Sequence, residues 1–306
     1  MANKNMRKKL VYNLTKLLGL ALKRYDVPDH EARGYMFQMF FLYARAIDDY
    51  ADGDVILDSN LSMAQSQKRT LEFLNQKLEF IKSYRAGVRP CDELDELIGI
   101  ALGISDSLDI PLGEHLEKLF ITFNFDLERR RLSLAGDLHL YSKEELVFNS
   151  FEMFLQSCYL PLLQTIGSSD EEMNKIRALC YANRIYYNAQ DLPGDLREGM
   201  INISFEDFED FEISKDDLFF VSSLPSKTFS EDPSIMKFGV SEGMWQWFQN
   251  YIDNGYGYLR DYEGDSCVNS TQELVKNFVE KDNLQDFVFY ISLQHGTKRY
   301  FKNLSL

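Results

Sequence analysis

The sequence predicts an all-α protein, a single domain over residues 1–306 formed as a bundle of about ten or more helices. Apolar residues recur at three-and-four spacing through most of the chain, strand-like alternation is nearly absent, and helix-capping signatures punctuate the pattern. Hydrophobic residues make up 45% of the chain and charged ones 26%, which supplies a sizeable core and excludes a disordered chain.

The first helix spans 6–25, with Leu10, Leu14, Leu17, Leu18 and Ala21 on one face, and ends at Asp26-Val27-Pro28. A second starts near Asp29 and stops near Gly53. Ser62 and Gln65 form a capping box that opens a helix carrying Leu71, Leu74, Leu78 and Ile81 as far as Gly87. Helices follow over 91–108 and 112–135, parted by Pro111. A second capping box, Ser142 with Glu145, leads a helix toward Gly167 that Pro161 is expected to kink. The next helix covers 169–192 and is expected to end at Pro193-Gly194. Residues 200–238 suggest short helices and loops, and within them the run 205–217, with seven acids and one lysine, reads as a solvated surface element. Helical pattern returns at 240–260, after a cap at Ser270 with Glu273, and over 282–302.

A net charge of −15 and a pI near 4.8 argue against a nucleic-acid surface, whose affinity comes largely from Lys and Arg on phosphates. Cys91, Cys158, Cys180 and Cys267 form no CxxC, so reduced cytoplasmic thiols are expected rather than a zinc or redox site. The longest apolar stretch, near Tyr35 to Ile47, is broken by Gln38 and Arg45 and falls short of a membrane span. The four histidines are scattered, and Gly255-Tyr256-Gly257 lacks the third glycine of a dinucleotide fingerprint.

Chemistry concentrates in FFLYARAIDDYADG, Phe40 to Gly53. Asp48 and Asp52 stand four apart, so on a helix their Cβ atoms lie about 5–6 Å apart on one face. Like charges so placed repel, and a divalent cation reverses the sign because Mg²⁺ takes carboxylate, water and phosphate oxygens. The alternative is a plain solvated helix end. A second oxygen-rich face follows in ANRIYYNAQDLPGDLREGMI, where Asn188, Asp191 and Asp195 are spaced three and then four. Two such faces opposed across a cavity would hold Mg²⁺ ions with a diphosphate between them.

The order and spacing of FLYARAIDDYAD and NAQDLPGD resemble the squalene/phytoene synthase family, whose members join two prenyl diphosphates head to head. IPLGEHLEKLF, DLERRR and YSKEEL are similar to the family's middle region, so the likeness covers most of residues 29–205. It implies an isoprenoid-synthase-like fold, with the helices around a central cavity, and Mg²⁺, with Mn²⁺ as an alternative, held by Asp48, Asp49 and Asp52 and by Asn188, Asp191 and Asp195. It implies ionisation of an allylic diphosphate, a cyclopropyl intermediate and a second ionisation, with NADPH used only where the product is reduced. Arg45 matches a family arginine that would hold diphosphate or the acids themselves, Asp126 and Arg129 match the family's middle motif as substrate-binding candidates, and Phe41, Tyr43, Tyr186 and Tyr187 are the aromatic candidates for a cation-stabilising wall. Gln190, Gly194, Met200 and Asn202-Ile203-Ser204 depart from the family pattern, and LGLALKRY stands in place of its N-terminal Ser-Phe motif. If the helix stops at Leu192, Asp195 leaves the face of Asn188 and Asp191. Two classes of function are open at this point: a prenyl synthase, or terpene cyclase, acting on farnesyl or geranylgeranyl diphosphate, and a non-catalytic relative acting as an assembly or binding protein. For the enzyme, a cytoplasmic location with transient peripheral membrane contact for product release is expected.

Overall fold

Every regular element of the computed structural model is a helix, and no strand occurs among the described residues, which are 16, 18–134, 138–167 and 173–263. The helices expected after Ser270 and over 282–302, and most of the first, lie outside them. Contacts gather the chain into two compact units: among the described residues, unit 1 takes those up to Leu127 and 153–167, and unit 2 takes 128–134, 138–152 and 173–263.

In unit 1, α1 (18–24) leads into a turn where Asp26 and Asp29 adopt φ of 50° and 56°. Helix α2 (His30–Ala51) follows, then α3 (Met63–Ser83), which opens on the expected Ser62–Gln65 capping box and closes through the 3-10 turn Tyr84–Ala86. Asp92 caps α4 (Glu93–Ser107) by accepting the Leu94 and Asp95 amides, and the part of α5 (Leu112–Leu134) up to Leu127 completes the longer elements. Helix α2 packs on α4, and Phe40, Ile47, Leu74, Ile98, Leu102 and Phe120 share one cluster, each at most 5% exposed. Each such side chain contributes about 1.5–3 kcal/mol by leaving water.

The stretch after Ser142 differs from expectation. Helix α6 (Lys143–Leu146) keeps its capping box but widens into π-helix over Val147–Glu152 and again over Leu155–Tyr159. Pro161 does not kink a continuing α-helix; it falls in the first turn of α7 (Leu160–Thr165), where its missing N–H is tolerated.

In unit 2, α8 (Met173–Arg197) packs along α12 (Glu242–Glu263), with α10 (Lys215–Ser223) and α11 (Ser226–Glu231) also against it. Helix α9 (Phe205–Asp210) is capped by Ser204. The acidic run is only partly a solvated element. Asp217 is 4% exposed and accepts hydrogen bonds from the backbone and hydroxyl of both Ser214 and Ser241. Burial works to raise its pKa, and these bonds outweigh it and hold the carboxyl below the usual range.

The largest correction concerns α8, which does not stop at Leu192. It runs through Pro193 and Gly194 to Arg197. The terminator is Gly199, at φ 78°: its N–H bonds Leu196 O at 3.2 Å, while Met200 N–H bonds Asp195 O at 2.8 Å, the paired closure of a Schellman end. Pro193 forfeits one internal bond, a loss that packing of α8 against α10, α11 and α12 offsets. Two substitutions of opposite sign test this. Gly199→Ala is expected to lower stability by about 1 kcal/mol, since a Cβ is strained at positive φ. Gly194→Ala is expected to raise it by about 0.5–1 kcal/mol, its Cβ meeting only ordinary contacts at 3.7 and 3.8 Å. Urea melts of both variants read the result, and destabilisation by Gly194→Ala alone would return the helix end to Pro193.

Candidate functional site

Unit 1 carries the first acidic motif on the last turn of α2. Asp52 is the C-cap, its N–H bonded to Asp48 O at 2.8 Å, so the helical register between the two acids is retained. No basic residue lies in that turn. Asp48, Asp49 and Asp52 therefore stand at the negative end of the helix dipole, where carboxylates are disfavoured and cations favoured. Arg45 answers part of this, with Nη1 2.5 Å from Asp48 Oδ2 and Nη2 3.8 Å from Asp49 Oδ1. Its side chain is 42% exposed, so the pair is worth no more than about 1 kcal/mol.

The aromatic candidates beside this motif differ in placement. Phe41 is half-buried and stacks on Phe37, ring centres 5.9 Å apart. Tyr43 is 0% exposed, and its hydroxyl has no hydrogen-bond partner among the described residues. Burial first, then Asp95 and Asp92, raise its phenol well above the ordinary value. Next to it lies a charge cluster that sequence reading did not single out. Lys77, 4% exposed, reaches Asp95 at 2.8 Å and Asp92 at 2.5 Å, and Asp95 also accepts the Cys91 N–H at 3.0 Å.

Unit 2 carries the second motif on α8. Asn188 is 6% exposed and donates from Nδ2 to the Tyr251 hydroxyl at 3.0 Å, while burial pushes the Tyr251 phenol up to about 12. Asp191 opens to solvent on one side, yet crowding around its carboxyl raises its pKa, with Arg184 pulling it back. Asp195 Oδ2 accepts from Asn202 Nδ2 at 2.8 Å, and Asn202 Oδ1 in turn accepts from Arg129 Nη1 at 2.8 Å. Arg129, only 5% exposed, thus reaches the motif through Asn202. Asp126 lies one turn earlier on α5, partly buried. Tyr186 and Tyr187 have ring centres 5.0 Å apart, Tyr187 on the surface. At Gln190 the buried Oε1 lacks a hydrogen-bond partner among the described residues.

A cleft of about 470 Å³ opens within unit 2, with Asn188, Asn202, Trp247 and Tyr251 in its lining. Asn202 and Tyr251 are the contributors that sequence reading missed. The available signal was Trp247, Asn250, Tyr251, Asn254 and Tyr258 on one face of α12, a pattern that also fits an ordinary amphipathic helix.

Among the described residues no group of three His, Cys, Asp or Glu side chains is gathered for a metal ion. Asp48 with Asp52, and Asp191 with Asp195 beside Asn188, offer the hard oxygens that Mg²⁺ accepts in ones and twos alongside water and phosphate. No known family model matches the chain, and no curated protein matches it. No helix among the described residues is long and apolar enough to cross a membrane.

Proposed function

We propose that the chain is a Mg²⁺-dependent prenyltransferase that joins two allylic prenyl diphosphates, farnesyl or geranylgeranyl, head to head through a cyclopropyl intermediate to a squalene- or phytoene-like product. The observation that carries this reading is the continuity of α8 through Pro193 and Gly194, which keeps Asn188, Asp191 and Asp195 on one helix at the spacing that metal binding needs. Asp48 and Asp52, with Asp49, would hold metal on the α2 side; Asn188, Asp191 and Asp195 would hold it on α8. Bound Mg²⁺ supplies charge neutralisation on the departing diphosphate.

The remaining roles belong to the chain's own groups. Arg45 orients Asp48 and presents a half-exposed guanidinium suited to a diphosphate oxygen. Asn202, braced by Arg129, fixes one oxygen of Asp195, and Tyr251 sets the Asn188 amide with its nitrogen turned to the phenol. These same bonds favour a second reading, a binding or assembly protein, because Arg45, Asn202 and Tyr251 already satisfy much of the motif without a metal.

Purified protein incubated with farnesyl or geranylgeranyl diphosphate is expected to release diphosphate and form hydrocarbon product only with Mg²⁺ or Mn²⁺; including NADPH shows whether the product is reduced. No product from either substrate, together with no Mg²⁺-dependent thermal shift from a non-reactive diphosphate analogue, would favour the binding protein.

A further inference from the structure

The cleft in unit 2 has a chemistry of its own. Along α12, Trp247, Asn250, Tyr251, Asn254 and Tyr258 all face into it, alternating rings with amides. Across from them stand Val147, Ser150 and Phe151, all from the π-helical segment Val147–Glu152. A π segment is rare and occurs frequently at functional sites. Ser150 fits that description: it is 2% exposed, lines the cleft, and its hydroxyl has no hydrogen-bond partner among the described residues. A buried hydroxyl left so costs stability, and a rotation of the Ser150 side chain toward the cleft would let a ligand oxygen recover it.

Charge narrows what that ligand is. The charged side chains in the lining are Lys143, Asp207 and Asp253, and Lys143 Nζ already lies 3.4 Å from Asp207. What remains is the exposed Asp253 in a chain of net charge −15, a setting that repels phosphates and carboxylates. None of the lining carboxylates is buried to hold an ammonium group in place. Amides, hydroxyls and aromatic faces are left, and these suit vicinal hydroxyls on a ring whose C–H face lies on an aromatic wall. The volume of about 470 Å³ falls within the usual range for small-ligand sites.

The geometry points to a binding site in unit 2 for an uncharged, hydroxyl-rich ring of sugar size. It does not rest on the prenyl reading: Asn188, Asn202 and Tyr251 of the lining would serve that reading only through bound Mg²⁺, whereas without the metal the lining suits a neutral ligand. The test titrates the full chain, without Mg²⁺, with methyl hexosides and N-acetylhexosamines, with choline, and with inorganic diphosphate, following tryptophan fluorescence and saturation-transfer NMR. Saturable binding of at least one neutral sugar is expected, weakened about tenfold or more in the Asn250→Ala/Asn254→Ala variant, whose two positions are exposed and whose circular dichroism spectrum is expected to be unchanged. Ser150→Val is expected to weaken it as well, with an unchanged circular dichroism spectrum. Absence of sugar binding up to millimolar concentration, preference for choline or diphosphate, or sugar binding that the asparagine variant leaves unchanged would each overturn the assignment.

Discussion

Lys77→Met is expected to destabilise the protein by about 3–5 kcal/mol, the largest single effect outside the apolar core, because it strands a carboxylate in the interior of unit 1. Asp95 is 3% exposed and Lys77 4%, and the 2.8 Å contact between them has little solvent around it. Removing the cation leaves Asp95 with the Cys91 amide as its recorded donor, a neutral group that does not replace a charge. Methionine keeps the apolar stem, so the measured loss reports charge rather than volume, including loss of the ammonium's place 5.4 Å over the Phe73 ring. The companion variant Lys77→Met/Asp95→Asn is expected to recover most of the loss, since a neutral amide tolerates that site. Acid titration gives an independent reading. Burial works to raise the Asp92 pKa, but its bonds to Lys77 and to the α4 amides hold it below the ordinary value. Its contribution is present above the unfolded-state pKa and is lost as pH falls through the lower folded one. Lys77→Met removes the cationic part of that bonding and flattens the acid limb of the stability profile. Equal melting of Lys77→Met and the wild type would refute the buried-charge account.

The parts of this fold legible in the sequence are those encoded locally. Ser62 with Gln65 and Ser142 with Glu145 announce their helices because a cap is settled within four residues, and both capping boxes are present. Pro193-Gly194 misleads for the opposite reason. Proline disfavours the helix locally, but the burial of α8 against α12 is decided by residues far along the chain, Asn188 and Tyr251 being 63 positions apart, and it wins. Gly199, unremarkable in the sequence, is the residue whose positive φ ends the helix. The π segment over Val147–Glu152 was invisible because its apolar spacing also suits an α-helix. Around the site, proximity in sequence was a poor guide. Tyr43 is five residues before Asp48, which turns it about 140° away around the helix and into the core. Asn202 reaches Asp195 from beyond the helix end, a contact that follows from the Gly199 turn and has no spacing rule to reveal it.

Asp52→Asn separates function from stability more cleanly than any other change in the first motif. Asp52 is exposed at the C-cap of α2, and its backbone, which donates to Asp48 O, is untouched by the amide substitution. Surface changes of this kind alter stability by no more than about 0.5 kcal/mol, and easing three carboxylates at a helix C-terminus pushes toward gain rather than loss. In the prenyltransferase reading the same change removes a metal-binding oxygen, with an expected fall in Mg²⁺-dependent diphosphate release on the order of 10²-fold or more. A structural acid would give the reverse signature, a lower melting temperature with turnover unaffected. Three carboxylates at a helix C-terminus, with Arg45 answering part of their charge, are what a cation-binding face requires and a packing face does not. Raising Mg²⁺ is expected to stabilise the wild type by mass action and to stabilise Asp52→Asn less, a difference that thermal melts at several Mg²⁺ concentrations measure without any substrate present. Identical Mg²⁺ responses in the two proteins would remove Asp52 from the metal site.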